Sequence, residues 1–317
     1  MDVPRFSLMR LPEACLQNVL RILNPIQLFE ISLASKKSKD LAQSLKFKTS
    51  KFILHIEGRF LSIKLHFRSR KVCLFSNYLE VLNSVKIHYF PYSNEMDQGT
   101  FLNHLKFIFN TEKIEIDFVS NPHRFEFEPC FEGRRDVESI SLRTFDQEEN
   151  RTVLNIIKPS RIYMSHVTRP RDILIQNIDY LRASRMIVRL EDLLIMNIKN
   201  LEIGCSMFPA KVLNQFLKLW TRGSNLQLER LQLNYQVYYR FMNEAIFNRL
   251  KTHRNTTVKY FKSANGTRKI TGGLDIFRFD GTMATVFLRR LGGINWIDFE
   301  FEMLVWHDHC IAKETDR

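Results

Sequence analysis

Three helix-starting signals divide the first forty-five residues into short segments, and nothing else in the chain restricts the fold as tightly. Pro12 suits the first turn of a helix, because its missing N–H would have no intrahelical partner there and its φ is already helical. Beyond it Leu16, Val19, Leu20 and Leu23 follow the i, i+3, i+4, i+7 spacing of one apolar stripe, with Gln17, Asn18 and Arg21 opposite. Asn24 can cap a second helix through its side-chain oxygen, with Pro25 at the first position and Leu28, Phe29, Ile31 and Leu33 as apolar content. Ser35 can cap a third, which buries Leu41, Ala42 and Leu45 and leaves Lys36, Lys37 and Lys39 solvated. Three helices of roughly ten residues bury too small a share of their unfolded surface to be stable alone, so other polypeptide must cover them.

In order and spacing, Leu11-Pro12-Glu13, Val19-Leu20, Pro25, Leu28-Phe29, Ile31-Ser32-Leu33 and Ser35-Lys36-Lys37 agree with the F-box, and the segment 4–50 resembles that family. The resemblance implies docking onto a Skp-type adaptor and, through it, a cullin–RING ubiquitin ligase, while a downstream domain selects a protein substrate. On that likeness the adaptor-binding residues are Leu8, Leu11, Pro12, Leu16, Val19, Leu20, Leu23, Pro25, Leu28, Phe29 and Ile31, some of them shared with the helices' own packing. One departure stands out: many F-boxes carry a Trp or Arg-Phe after the Ser-Lys pair, where this chain has Lys37-Ser38-Lys39.

The chain has 317 residues, which leaves room for two or three domains. With 44% hydrophobic and 26% charged residues the composition is that of a folded globular chain. No apolar run is long enough to span a bilayer, and Met1–Phe6 lacks the pattern of a secretory signal, so no membrane contact and a cytoplasmic or nuclear location are expected. Cys15, Cys73, Cys130, Cys205 and Cys310 show no C-x-x-C pairing and read as reduced, mostly packing residues. His307-Asp308-His309-Cys310 is the one dense run of metal-capable side chains, and its near-terminal setting beside Lys313 and Glu314 reads as a polar tail. No P-loop, G-x-G-x-x-G, G-x-S-x-G or H-E-x-x-H is present, so neither a catalytic site nor a metal or cofactor is expected. The net charge of +13, with Lys36, Lys37, Lys39, Lys46, Lys48 and Lys51 in one window, supports an alternative reading as a basic nucleic-acid-binding protein.

Past residue 50 the pattern turns to strands. Phe52–Ile56 and Leu61–Phe67 alternate around Glu57-Gly58-Arg59, which predicts a hairpin. Six segments then share an x-Ile/Leu-x-Ile/Leu pattern: Lys113–Ile116, Ser139–Leu142, Arg161–Met164, Tyr180–Ala183, Asn200–Ile203 and Arg230–Leu233. Their first apolar positions are 26, 22, 19, 20 and 30 residues apart, a range that overlaps leucine-rich repeats. Val212–Trp220 is the clearest helix between them, with Leu213, Phe216, Leu217 and Trp220 on one face and Gly223 to end it.

The expected fold is α/β: a three-helix F-box, an irregular leucine-rich-repeat-like curved sheet with outer helices, and a terminal β-hairpin. A non-repeating α/β or α+β domain is the rival, since the segments lack a strict Asn and Leu ladder. The corresponding division is 4–50 for the adaptor-binding helices, 51–110 for a β-rich connecting segment, 111–300 for a recognition domain and 301–317 for a tail. Asp179-Tyr180-Leu181, Leu190–Leu194, Leu213–Trp220, Gly223-Ser224-Asn225, Leu228–Leu231, Gly273–Ile276 and Phe279–Val286 resemble the type 2 F-box-associated domain in order. Asp280-Gly281 also suits a hairpin turn on stereochemical grounds. If the apolar strand positions face inward, Glu115, Ser141, Tyr163, Arg182, Glu202 and Gln232 line the other side and are the candidate substrate contacts.

Overall fold

The computed structural model describes residues 8–57, 60–67, 72–76, 87–89, 98–120, 131, 134–168, 170–204, 209–237, 242–263, 266–291 and 297–312. It is a mixed α/β fold that divides into two compact units, Met1–Ser141 with Glu148–Pro159 and Leu142–Gln147 with Ser160–Arg317. Among the described residues no helix is long and apolar enough to cross a membrane.

The first unit opens with α1 (Glu13–Ile22), α2 (Pro25–Leu33) and α3 (Lys36–Ser44), divided where the capping chemistry requires. Asn24 Oδ1 accepts from the backbone N–H groups of Ile26 and Gln27 at 3.0 Å each, and Gln27 Oε1 accepts from Asn24 N–H at 3.1 Å. This reciprocal arrangement satisfies donors that a helix start would otherwise orphan. Ser38, where the family pattern departs, completes the same device on α3: Ser38 N–H donates to Ser35 Oγ at 3.1 Å, and Ser35 N–H donates to Ser38 Oγ at 2.9 Å.

Next come β1 (Thr49–Glu57), β2 (Phe60–Phe67), β3 (Val72–Ser76), β4 (Ile87–Tyr89), α4 (Gln98–Ile108), β5 (Ile114–Ser120), β6 (Val137–Leu142) and α5 (Gln147–Ile156). The expected hairpin is β1 against β2, Leu54 opposite Ile63, while residues 58 and 59 of its turn lie outside the described residues. The strand order in this unit is β6-β5-β1-β2-β3-β4, with Leu54 of β1 also opposite Ile116 of parallel β5. The boundary expected at residue 110 therefore falls inside one sheet. Within segment 51–110, expected as a connector, β1 lies between β2 and β5 of that sheet and buries Phe52, Leu54 and Ile56.

The second unit contains β7 (Arg161–Val167), α6 (Arg171–Leu174), β8 (Ile178–Met186), α7 (Leu190–Ile195), β9 (Ile198–Gly204), α8 (Ala210–Thr221), β10 (Arg230–Val237) and α9 (Met242–Phe247). These precede β11 (His253–Arg254), β12 (Lys259–Ser263), β13 (Gly266–Ile270), β14 (Leu274–Phe277), β15 (Met283–Leu291), β16 (Ile297–Val305) and a 3-10 turn, Asp308–Cys310. The main sheet runs β7-β8-β9-β10-β16-β15-β14-β11; β7 to β10 are parallel, and β16 joins β10 antiparallel.

One row of this sheet, Ile162, Leu181, Leu201, Leu231 and Met303, is buried and forms the core with Leu174, Leu193, Leu213, Phe216 and Trp220 of the intervening helices. Helix α8 ends as its sequence suggests. Gly223 N–H donates to Trp220 O and Ser224 N–H to Leu219 O, a Schellman closure that needs the positive φ of +110° at Gly223. A Cβ there would also stand 2.6 Å from the Phe279 ring.

Residues 301–305, expected as part of a tail, are a correction: they belong to β16, which lies between β10 and β15, with Phe301, Met303, Leu304 and Val305 buried. Its alternating Glu300 and Glu302 gave a polar look to a strand that sits mid-sheet. The small β12–β13 hairpin packs Phe261 and Ile270 against Phe287, Leu304, Trp306 and Cys310, covering part of the sheet face opposite the helices.

Candidate functional site

The structure sorts the eleven sequence-selected N-terminal residues into two groups. Leu16, Leu20, Pro25, Leu28 and Phe29 are buried, so any part they take in docking is through the shape of the helices. Phe29 meets Phe101 and His104 of α4 edge-on, with ring centroids 5.5 and 5.7 Å away. The chain's own α4 is thus part of the cover that the three helices need. Leu8, Leu11, Val19, Leu23 and Ile31 are half-buried and Pro12 is exposed. Ile22, absent from the sequence selection, is 82% exposed at the end of α1. Between α1 and α3 lies a groove of about 610 Å³ lined by Leu11, Leu16 and Leu41 together with Glu13, Gln17, Lys36, Lys37, Asp40 and Ser44.

His104 fastens α2 to α4. Ser32 Oγ donates to Phe29 O at 2.5 Å and therefore accepts from His104 Nε2 at 2.8 Å. Burial, with the Lys39 charge adding to it, pushes His104 down to about 4. The folded state keeps the ring neutral, whereas the unfolded chain takes up a proton below its usual value. Stability from this group is therefore complete above about pH 6.5 and is lost as pH falls toward 4, on the order of 2–3 kcal/mol. Urea midpoints measured at pH 7.5 and 4.5 should show that loss in the native chain and much less of it in His104→Gln; equal losses would exclude His104 as the cause.

In the second unit four of the six candidate substrate residues share one cross-strand row. Tyr163 lies opposite Arg182, Arg182 opposite Glu202, and Glu202 opposite Gln232, which in turn faces Glu302 of β16. Residues directly opposite one another project from the same side of a sheet, here the side away from the core row. Arg182 Nε is 3.2 Å from Glu202 Oε1, and Tyr180 O–H donates to Glu202 Oε2 at 2.8 Å. Burial pushes the Tyr180 hydroxyl well above its usual range, and the bond to Glu202 adds to the shift. The Tyr163 and Tyr180 rings lie 5.5 Å apart. Glu115 and Ser141 belong to the first unit; both are half-buried, and Glu115 stands 3.6 Å from Lys51.

The row ends in an ionic cluster that sequence reasoning missed. Glu302, wholly buried, is met by Arg230 Nε at 2.9 Å, Arg268 Nη2 at 2.8 Å and Arg289 Nη1 at 3.1 Å. Burial works against its charge, but the hydrogen bond and charge of Arg268 and the charge of Arg230 win and hold its carboxyl below the ordinary range. Gln232 Nε2 donates to Glu300 Oε2 at 3.1 Å, and Arg289 reaches Glu300 Oε1 at 2.5 Å. The signal was present as parity, since Glu300 and Glu302 alternate with Phe301 and Met303.

The basic run is partly engaged: Lys48 and Lys51 stand 3.6 Å from Glu112 and Glu115, and Lys39 lies 4.9 Å over the Phe107 ring. Exposed pairs of this length hold weakly, and they also reduce the charge the run presents.

Residues 8–50 match the F-box domain family, and residues 169–233 match the F-box associated family. The chain therefore carries an F-box with an F-box-associated domain C-terminal to it. An uncharacterized protein of Caenorhabditis elegans, F59B2.9, is 22% identical over 325 aligned residues, which cover 88% of this chain and 75% of the relative. No solved structure matches the chain.

Proposed function

We propose, from an F-box at residues 8–50 with an F-box-associated domain behind it, that this chain is a non-catalytic substrate receptor of a Skp–cullin–F-box ubiquitin ligase acting in the cytosol or nucleus. The observation that carries the reading is the apolar edge along α1, where Leu11, Val19 and Leu23 are half-buried and Pro12 and Ile22 exposed on helices otherwise packed against their own chain. That edge and the groove between α1 and α3 are the surface for the Skp-type adaptor, and a cullin follows through the adaptor. The parallel strand–helix units β7 to β10 serve as a leucine-rich-repeat-like scaffold that holds Tyr163, Arg182 and Glu202 rigidly toward a protein client, while Gln232, expected as a further contact, is buried and braces the end of the row through Glu300.

Affinity purification of the full chain tests both halves. Leu11→Ala with Pro12→Ala should lower capture of adaptor and cullin by at least about tenfold, because truncating central apolar anchors typically removes a few kcal/mol of binding. Co-precipitation unaffected by that double change rejects the ligase reading. Reversing charges with Arg182→Glu and Glu202→Arg should leave the adaptor bound and remove clients; a client set that does not change excludes the row as the recognition face.

A further inference from the structure

After β16 the chain turns through Asp308–Cys310 and returns beside β12, where Phe261 bridges Ile311 and Ala312 N–H donates to Tyr260 O at 3.0 Å. The turn carries His309 and Cys310 to Glu229, the residue just before β10. A ring nitrogen, the sulfur and a carboxylate oxygen of these three all lie within 4.8 Å of one another. His309 Nε2 is 3.0 Å from Glu229 Oε1. Cys310 is 1% exposed, packed among Phe261, Leu304 and Trp306.

Each group is held in place by its surroundings. Glu229 N–H donates to Lys199 O at 2.7 Å, and Glu229 O accepts from Val305 N–H at 2.8 Å. The other carboxylate oxygen, Oε2, accepts from Asn200 Nδ2 at 2.9 Å, and Asn200 is itself tied to Asp179 O at 3.1 Å. The His309 ring stacks on His307 with 6° between planes, and His307 Nε2 bonds Leu228 O at 3.0 Å. A Glu229–His309 ion pair accounts for two of the three groups. The buried sulfur within reach of both converts that pair into a ligand set.

From this geometry we infer that Glu229, His309 and Cys310 bind a zinc ion, which ties the C-terminal turn to the start of β10. One oxygen, one imidazole nitrogen and one sulfur form a set that zinc accepts and that magnesium and calcium, which take oxygen ligands, do not favour. The Asn200 bond to Glu229 is the outer-shell contact that orients a ligating carboxylate. Side-chain exposure of His309 is 68%, so the fourth position faces solvent and takes a water. The site does not depend on the ligase reading.

The test uses the full chain, stripped with a chelator and titrated with zinc chloride alone. Equilibrium dialysis should find one zinc per chain, and saturating zinc should raise the melting temperature by about 5 °C. His309→Ala, a change at an exposed position, should keep the metal-free melting temperature and weaken zinc binding at least tenfold. That variant retains every cysteine, so undiminished zinc binding by it overturns the assignment. Cobalt(II) in place of zinc should show a thiolate charge-transfer band that Cys310→Ser abolishes, and cobalt bound without that band also overturns it. Should Cys310→Ser fail to fold, Glu229→Gln substitutes, with the same tenfold weakening expected.

Discussion

Replacing Phe29 with alanine should cost about 3–5 kcal/mol and release the N-terminal helices from the rest of their unit. The side chain is 1% exposed at the meeting of α2 and α4, edge-on to Phe101 and to the His104 ring. Its removal therefore opens a cavity and also loosens the Ser32–His104 contact, because the Phe29 ring is what the His104 imidazole packs against edge-on. Equilibrium unfolding in urea measures the cost, and limited proteolysis between residues 8 and 45 reports the release. A loss under about 1 kcal/mol with unchanged protease resistance would mean that α4 is not what holds the helices. The contrasting change is Ile22→Ser: at 82% exposure it should alter stability by no more than about 0.5 kcal/mol. The pair of variants separates the side of the F-box that the chain covers from the side left open.

The difference between those two sides shows how far a sequence can be read. The capping at Asn24 and Ser35 was legible because its partners lie within three residues, and the Schellman ending of α8 at Gly223 because its partners lie within five. Strand alternation also placed Tyr163, Arg182, Glu202 and Gln232 on one side of their strands, and the register then set them in one row. Local pattern could not say that Phe29 is covered by a later part of its own chain, because α4 lies some seventy residues beyond α2. The same holds for the boundary drawn at residue 300. The segment from Ile297 is polar at Asp298, Glu300 and Glu302, and only arginines from β10, β13 and β15 turn Glu302 into a mid-sheet residue.

Glu302 is accordingly the position where a conservative change should have its second large effect. Glu302→Gln keeps the volume but removes the charge, leaving Arg230, whose side chain is only 19% exposed, without its carboxylate partner. Breaking one side of a buried ion pair in this way costs about 3–5 kcal/mol, most of it from the uncompensated charge that remains. Arg268 and Arg289 are each 42% exposed and can turn to water, so Arg268→Ala should cost far less. That asymmetry separates a buried pair from a surface network. The pH dependence has a definite sign. Because the Glu302 carboxyl is held below its ordinary range, its contribution is present above the unfolded value near pH 4.3 and is lost as pH falls through the lower folded value. The native chain should thus lose this contribution below about pH 4, and Glu302→Gln, already without it, should show a flatter profile there. Urea midpoints across that range decide the matter: a glutamine variant within 1 kcal/mol of the native chain at pH 7 would show that Glu302 does not lock β13 and β16 together. Since Arg268 belongs to the β12–β13 hairpin that packs on Leu304 and Trp306, loss of the lock should also increase protease cleavage within β12 and β13.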